Sequence, residues 1–83
     1  MSAFTVEIRV MPRASLLDPQ GQAVQHALQA LGFAEVASVR AGKHLVVQVQ
    51  AVTREEAAAK ARVMCDRLLA NPVTEDYECS VSL

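Results

Sequence analysis

The sequence predicts an α+β fold in which a four-stranded antiparallel sheet carries two helices on one face. Three observations lead there. Apolar residues alternate one in two near both ends of the chain and again around residues 44–50, the period of half-buried strands. Between them, two stretches repeat at i, i+3, i+4 and i+7, the period of a helix with one buried stripe. Each helical stretch is also bracketed by residues that start and stop helices. The 83 residues suffice for one domain, taken as 1–83.

The first strand is "AFTVEIRVMP". Phe4, Val6, Ile8 and Val10 share one face, Thr5, Glu7, Arg9 and Met11 the other, and Pro12 ends the segment. The first helix follows, from Pro19 to Leu31. Asp18 is a good N-cap, and Pro19 falls at the first helical position, where a missing N–H costs nothing. Val24, Ala27, Leu28 and Leu31 form its apolar face, and Gly32 supplies the left-handed stop.

"EVASVRAGKHLVVQVQA" reads as two strands joined by a hairpin at Gly42-Lys43, with its register left open. In the second of these strands Leu45, Val47 and Val49 alternate with His44, Val46, Gln48 and Gln50. Thr53 and Glu56 make a capping box for the second helix. Its apolar face is Ala57, Ala61, Met64, Cys65 and Leu68, and Asn71-Pro72 ends it, because a residue before proline avoids the helical region. The last strand, "TEDYECSVSL", turns Tyr77, Cys79, Val81 and Leu83 one way. Strand, helix, strand, strand, helix, strand is the ferredoxin-like βαββαβ order.

Composition narrows the function. Net charge is −1, and the six arginines and two lysines are spread along the chain without a basic stripe, which argues against nucleic acid. Phe4, Phe33 and Tyr77 are the aromatic residues, so the core is built from small aliphatic side chains. The apolar fraction of 52% is high for so small a chain and favours an oligomer that buries a second apolar surface. A signal peptide, a membrane-spanning run and a lipidation motif are all absent, so the expected location is cytoplasmic.

Catalytic candidates are few. Cys65 falls mid-helix at an apolar position, with no base or helix N-terminus to activate a thiol, and reads as a core residue; Cys79, on an alternating strand, reads the same way. A disulfide between them is allowed by arithmetic but goes against the expected compartment. His26 and His44 lie on different elements without carboxylates at ligand spacing, so no metal site is expected. Glu55-Glu56 sits at a helix start, where negative charge is favourable, and Glu75-Asp76 at a strand entry; both read as solvated charges. Asp18 occupies the cap of the first helix, and its charge opposes phosphate binding there. Gly21 leaves the first turn without a side chain, so another group can approach closely. Catalytic residues are therefore not expected.

Four stretches together resemble the PurS family, the small subunit of multi-subunit phosphoribosylformylglycinamidine (FGAM) synthase. They are "LLDPQGQAV" (Leu16 to Val24), "LGF" (Leu31 to Phe33), "VRAGK" (Val39 to Lys43) and "MCDRLLANPVTEDYE" (Met64 to Glu78). The likeness runs nearly end to end. It departs at Pro12-Arg13-Ala14-Ser15, where the family often has Pro-x-x-Gly, and at Thr74, where a larger aliphatic residue is common. The resemblance implies a non-catalytic subunit of an ATP-dependent, glutamine-hydrolysing amidoligase of purine biosynthesis. It implies homodimers or dimers of dimers, and a bridge between a glutaminase subunit, PurQ, and a synthase subunit, PurL, that supports ammonia transfer. ATP, Mg and glutamine would be used by those partners, and no cofactor would be held by this chain. Candidate partner contacts are then the entry of the first helix (Asp18, Gln20, Gly21), the hairpin tip (Arg40, Lys43) and the Asn71-Pro72 turn. Two other readings use the same topology: a regulatory module binding a small ligand at a dimer interface, and an acyl-phosphate hydrolase. Tight binding of glutamine or purine nucleotide by the isolated protein would favour the module, and acyl-phosphate turnover the hydrolase.

Overall fold

The computed structural model describes residues 1–13 and 18–82. The expected departure at Ser15 and the facing of Leu83 lie outside the described residues. Strand β1 spans Ser2–Pro12, helix α1 Pro19–Ala30, strand β2 Lys43–Ala51, helix α2 Arg54–Met64 and strand β3 Glu75–Ser82. Among the described residues the sheet has three strands, in the order β2-β1-β3, both pairings antiparallel.

The register places most of the apolar residues of the three strands on one face. Ile8 lies between Leu45 and Cys79, Val6 between Val47 and Val81, and Val10 between Lys43 and Tyr77. Val6, Ile8 and Val10 are fully buried, and Ala57, Ala61 and Cys65 of the second helical segment close over them. These small residues let the helix backbone lie close to a sheet made of valine and isoleucine. The opposite face is mostly polar and largely exposed, with Val46 and Met11 among its charged and amide side chains. Arg9 meets Glu78 there at 3.5 Å, Glu7 meets His44 at 3.5 Å, and Gln48 donates to Thr5 Oγ1 at 3.1 Å. Such exposed pairs contribute little to stability.

Helix ends form where local chemistry asks for them. Asp18 Oδ1 accepts from Gly21 N at 3.0 Å at the start of α1. At its end Gly32 takes φ 106°, Gly32 N donates to Gln29 O and Phe33 N to Leu28 O, both at 3.1 Å. This is a Schellman closure, which needs a left-handed residue at that position. Thr53 Oγ1 accepts from Glu56 N at 3.1 Å, and Glu56 Oε2 reaches back to accept from Val52 N at 3.2 Å.

Three expectations need correction. The first is the fourth strand: residues 36–42 pair with no strand among the described residues, and no hairpin forms at Gly42-Lys43. Lys43 instead opens β2 opposite Val10 of β1. Gly42 is there for proximity, since a Cβ on it would run into the Val10 carbonyl and the Met11 side chain. The alternation before it was too weak to define a buried face.

The second is the placing of both helices on the sheet. α2 covers the apolar face, but α1 runs off the end of the sheet. The molecule measures 52 × 25 × 14 Å. A strand of eleven residues is about 36 Å long and a helix of twelve about 18 Å, so the long dimension is close to the two laid end to end.

The third is Leu68, which the periodicity assigns to the apolar face but which is 82% exposed. α2 widens after Met64 into a π-helical turn, Cys65–Leu69, closed by Ala70 N donating to Cys65 O at 3.0 Å. The wider turn inserts one residue into the helical count. It swings Leu68 outward and brings Leu69 and Ala70 toward the core.

Candidate functional site

The seven residues expected to make contacts come from three distant stretches, and these stretches meet at one end of the sheet. This end is built where β1 stops, β2 starts and β3 starts, because Val10 pairs with Lys43 and Pro12 with Glu75. α1 begins beside it.

Asp18 is the pivot. Besides capping α1 through Oδ1, its Oδ2 accepts from Ala41 N at 2.8 Å. One carboxylate thus ties the start of the helix to the segment leading into β2. The Val39 carbonyl lies where a side chain on Gly21 would be, so the close approach foreseen at this glycine is made by the chain's own backbone. Gln20, in the same turn, is exposed. Arg40 Nη2 donates to the Pro12 carbonyl, and Lys43 Nζ donates to Leu69 O at 3.0 Å. These two cations therefore fasten a strap, residues 39–43, to the end of β1 and to the π-turn. They do not form the tip of a hairpin.

The Asn71-Pro72 turn completes this end. Asn71 Oδ1 accepts from Val73 N at 3.0 Å, an Asx turn, and Glu75 Oε1 accepts from Asn71 N at 2.7 Å. Arg13 Nη2 donates to Pro72 O at 2.7 Å, while Arg13 Nε lies 3.4 Å from Asp76. Backbone carbonyls and carboxylates thus occupy the cationic side chains, and the surface at this end is a shaped, pre-ordered one.

The Ala41 amide, then the Gly21 amide, and the Arg40 charge hold the Asp18 carboxyl below its ordinary value of 3.8. A depressed folded-state value means that the carboxylate favours the folded arrangement. That contribution is complete above the unfolded value and is lost as pH falls through the folded one. Amide protection at Ala41 and Gly21 is expected to hold from neutrality to about pH 4 and to drop below it. Asp18→Ala should remove this acid step and speed exchange at Ala41 above about pH 4, the difference from the wild type shrinking below it. Hydrogen exchange read by NMR checks both.

Among the described residues, two apolar surfaces are left uncovered. On α1 and just after it, Val24 is 42%, Leu31 75% and Phe33 49% exposed. Beside α2, Val47, Val63, Met64, Leu68 and Leu69, with Arg67 among them, line a hollow of about 450 Å³ over the β2 side of the sheet. In a ferredoxin-like arrangement the first helix would fill that place; here α1 stands away from it.

The chemistry of the remaining groups is quiet. Burial, with Cys79 and Asp66 alongside, pushes the Cys65 thiol up to about 11, so it is a protonated thiol at neutral pH. Cys79 Sγ lies 4.0 Å away, a proximity that the one-dimensional pattern did not reveal. The clue was available: both residues fall on faces assigned to the same core. His26 is exposed on α1, and His44 is exposed beside Glu7.

Comparison with known proteins bears on this architecture. The profile of the PurS family, described as phosphoribosylformylglycinamidine (FGAM) synthase, matches residues 5–83. The chain belongs to the PurS family. It is thus a subunit of FGAM synthase, an enzyme of purine biosynthesis. PurS of Bacillus subtilis is 41% identical over 78 residues, covering 94% of this chain and 92% of the relative. PurS of Synechocystis is 43% identical over 75 residues, covering 90% and 75%. The B. subtilis PurS crystal structure superposes with a TM-score of 0.88 at 40% identity over 96% of this chain and 99% of that one. A structure of PurLQS from Thermotoga maritima contains a chain that matches with a TM-score of 0.88 at 32% identity, covering 99% and 100%. The PurS fold therefore accommodates the outlying α1 and the three-stranded sheet seen here.

Proposed function

We propose that this PurS chain is a non-catalytic assembly subunit. It holds the glutaminase, PurQ, against the synthase, PurL, so that ammonia released by one reaches the other. The observation that carries the reading is the near-complete match, in length and fold, to a chain of the PurLQS structure. The quiet chemistry supports it: the most buried thiol is held protonated, and the cations at the ordered end are engaged with backbone carbonyls. ATP, Mg and glutamine are then handled by the partner subunits, in the cytoplasm.

Self-association belongs to the same reading. Each copy has an apolar helix without a seat and an apolar seat without a helix. A second copy supplies what the first lacks, and a two-fold pairing satisfies both at once. Native mass measurement on the isolated protein is expected to give a dimer or a multiple of it; a monomer at micromolar concentration would refute the pairing.

The test of the main reading is reconstitution. The two large subunits with this chain are expected to make FGAM from glutamine. Without it, glutamine-dependent turnover falls to background while turnover driven by added ammonia persists. Equal glutamine-dependent rates with and without the chain would sink the proposal.

A further inference from the structure

We propose that Cys65 and Cys79 form a reversible intrachain disulfide that pins the π-turn to the middle of β3. The two sulfurs are 4.0 Å apart across the helix–sheet contact, on residues 14 positions apart in sequence. Both thiols are free. A disulfide needs the sulfurs at about 2 Å, so they must close by roughly another 2 Å. The place where that movement is available is the element holding Cys65. It is the first residue of the π-turn, whose closing bond runs from Ala70 N to Cys65 O across a wider ring than an α-helical one. Cys79 sits on a strand paired to β1 at Ile8 and is the fixed member.

Exposure sets the order of events. Cys65 is fully buried and Cys79 only partly so. A hydroperoxide therefore reaches Cys79 first. The Cys79 sulfur attacks the peroxide oxygen; the O–O bond breaks, water leaves and Cys79 carries a sulfenic acid. The Cys65 sulfur then attacks the Cys79 sulfur, the S–O bond breaks, and the hydroxide released takes up the Cys65 proton as a second water. Two thiols and one hydrogen peroxide become one disulfide and two waters, a two-electron oxidation. Until an oxidant arrives, burial keeps Cys65 protonated and the pair inert.

The pinned segment matters because of its connections. Leu69 O receives Lys43 Nζ, and the turn runs straight into Asn71-Pro72. The disulfide stiffens the same end of the sheet that carries the ordered contact residues.

Hydrogen peroxide on the purified protein is the test. The chain is expected to lose two hydrogens in mass, to lose both titratable thiols in denaturant, and to run as a single chain on a non-reducing gel. Reductant should restore all three. Amide exchange over residues 66–70 should slow in the oxidised form. Cys79→Ala removes the entry point and leaves the core cysteine in place, so its remaining thiol should survive the same treatment. Persistent thiols, sulfinic acid without ring closure, a bond between two chains, unchanged exchange at 66–70, or equally fast loss of Cys65 in the variant would each overturn the proposal.

Discussion

Ile8→Ala is expected to destabilise the isolated protein by about 2–5 kcal/mol, a large effect for a single truncation. Ile8 is the largest fully buried side chain among the described residues and sits on the central strand, between Leu45 on one side and Cys79 on the other. Neither neighbouring strand can collapse into the cavity without breaking its register with β1. A domain of this length has a total stability of roughly 4–12 kcal/mol, so the loss is a large share of the whole. Urea unfolding followed by circular dichroism should show the midpoint falling at unchanged slope. Ile8→Val, which removes one methylene, should cost about 0.5–1.5 kcal/mol. Val46→Ala, on the exposed face of β2, should stay within about 0.5 kcal/mol. A loss below about 1 kcal/mol for Ile8→Ala would show that the sheet does not depend on this packing.

Gly21→Val is the second large effect, and its sign is informative. In an open helix, replacing glycine by valine gains a few tenths of a kcal/mol of helix propensity. Here the new side chain meets the Val39 carbonyl and the Asp18 carboxylate. A backbone carbonyl cannot move aside as a flexible side chain can, so overpacking of about 1–3 kcal/mol outweighs the propensity gain. The expected result is release of the 39–43 strap from the start of α1. Exchange at Ala41 should accelerate, and capture of the large subunits should weaken if this end of the sheet is where they bind. Gly21→Ala makes a stricter comparison: helix propensity offers about 1 kcal/mol, yet the Cβ alone already collides. A stabilised Gly21→Ala protein would mean that the strap does not rest on the glycine.

Much of the fold was legible because it is local. Strand β1 alternates so cleanly that its buried face could be named residue by residue. Pro19, Gly32, Thr53 and the capping oxygen of Asp18 act on backbone groups within four positions of themselves, so these roles follow from neighbours in the chain; the second Asp18 oxygen, on Ala41 N, does not. Residue types that do two jobs were harder. Gly42 looks like a turn residue, but it is used for close approach to β1, and the expected hairpin disappeared with that difference. Leu68 fell on the apolar stripe of a regular helix, and a single extra residue in the π-turn moved it to solvent. The contact candidates were found as types and stretches. That Arg40 and Lys43 bind carbonyls of Pro12 and Leu69 depends on which strands pair, and short-range pattern does not carry that information.

Alternation and capping chemistry by themselves determined five of the six expected strands and helices and which face of β1 is buried, since each rests on interactions spanning a few positions; the family resemblance rests on four motif stretches. Tertiary structure alone decided that the sheet has three described strands, that α1 leaves its apolar residues uncovered, and that two cysteines meet across the core. Those outcomes depend on backbone distances between segments 14 to 77 positions apart, where packing and closure, and not local preference, select the arrangement.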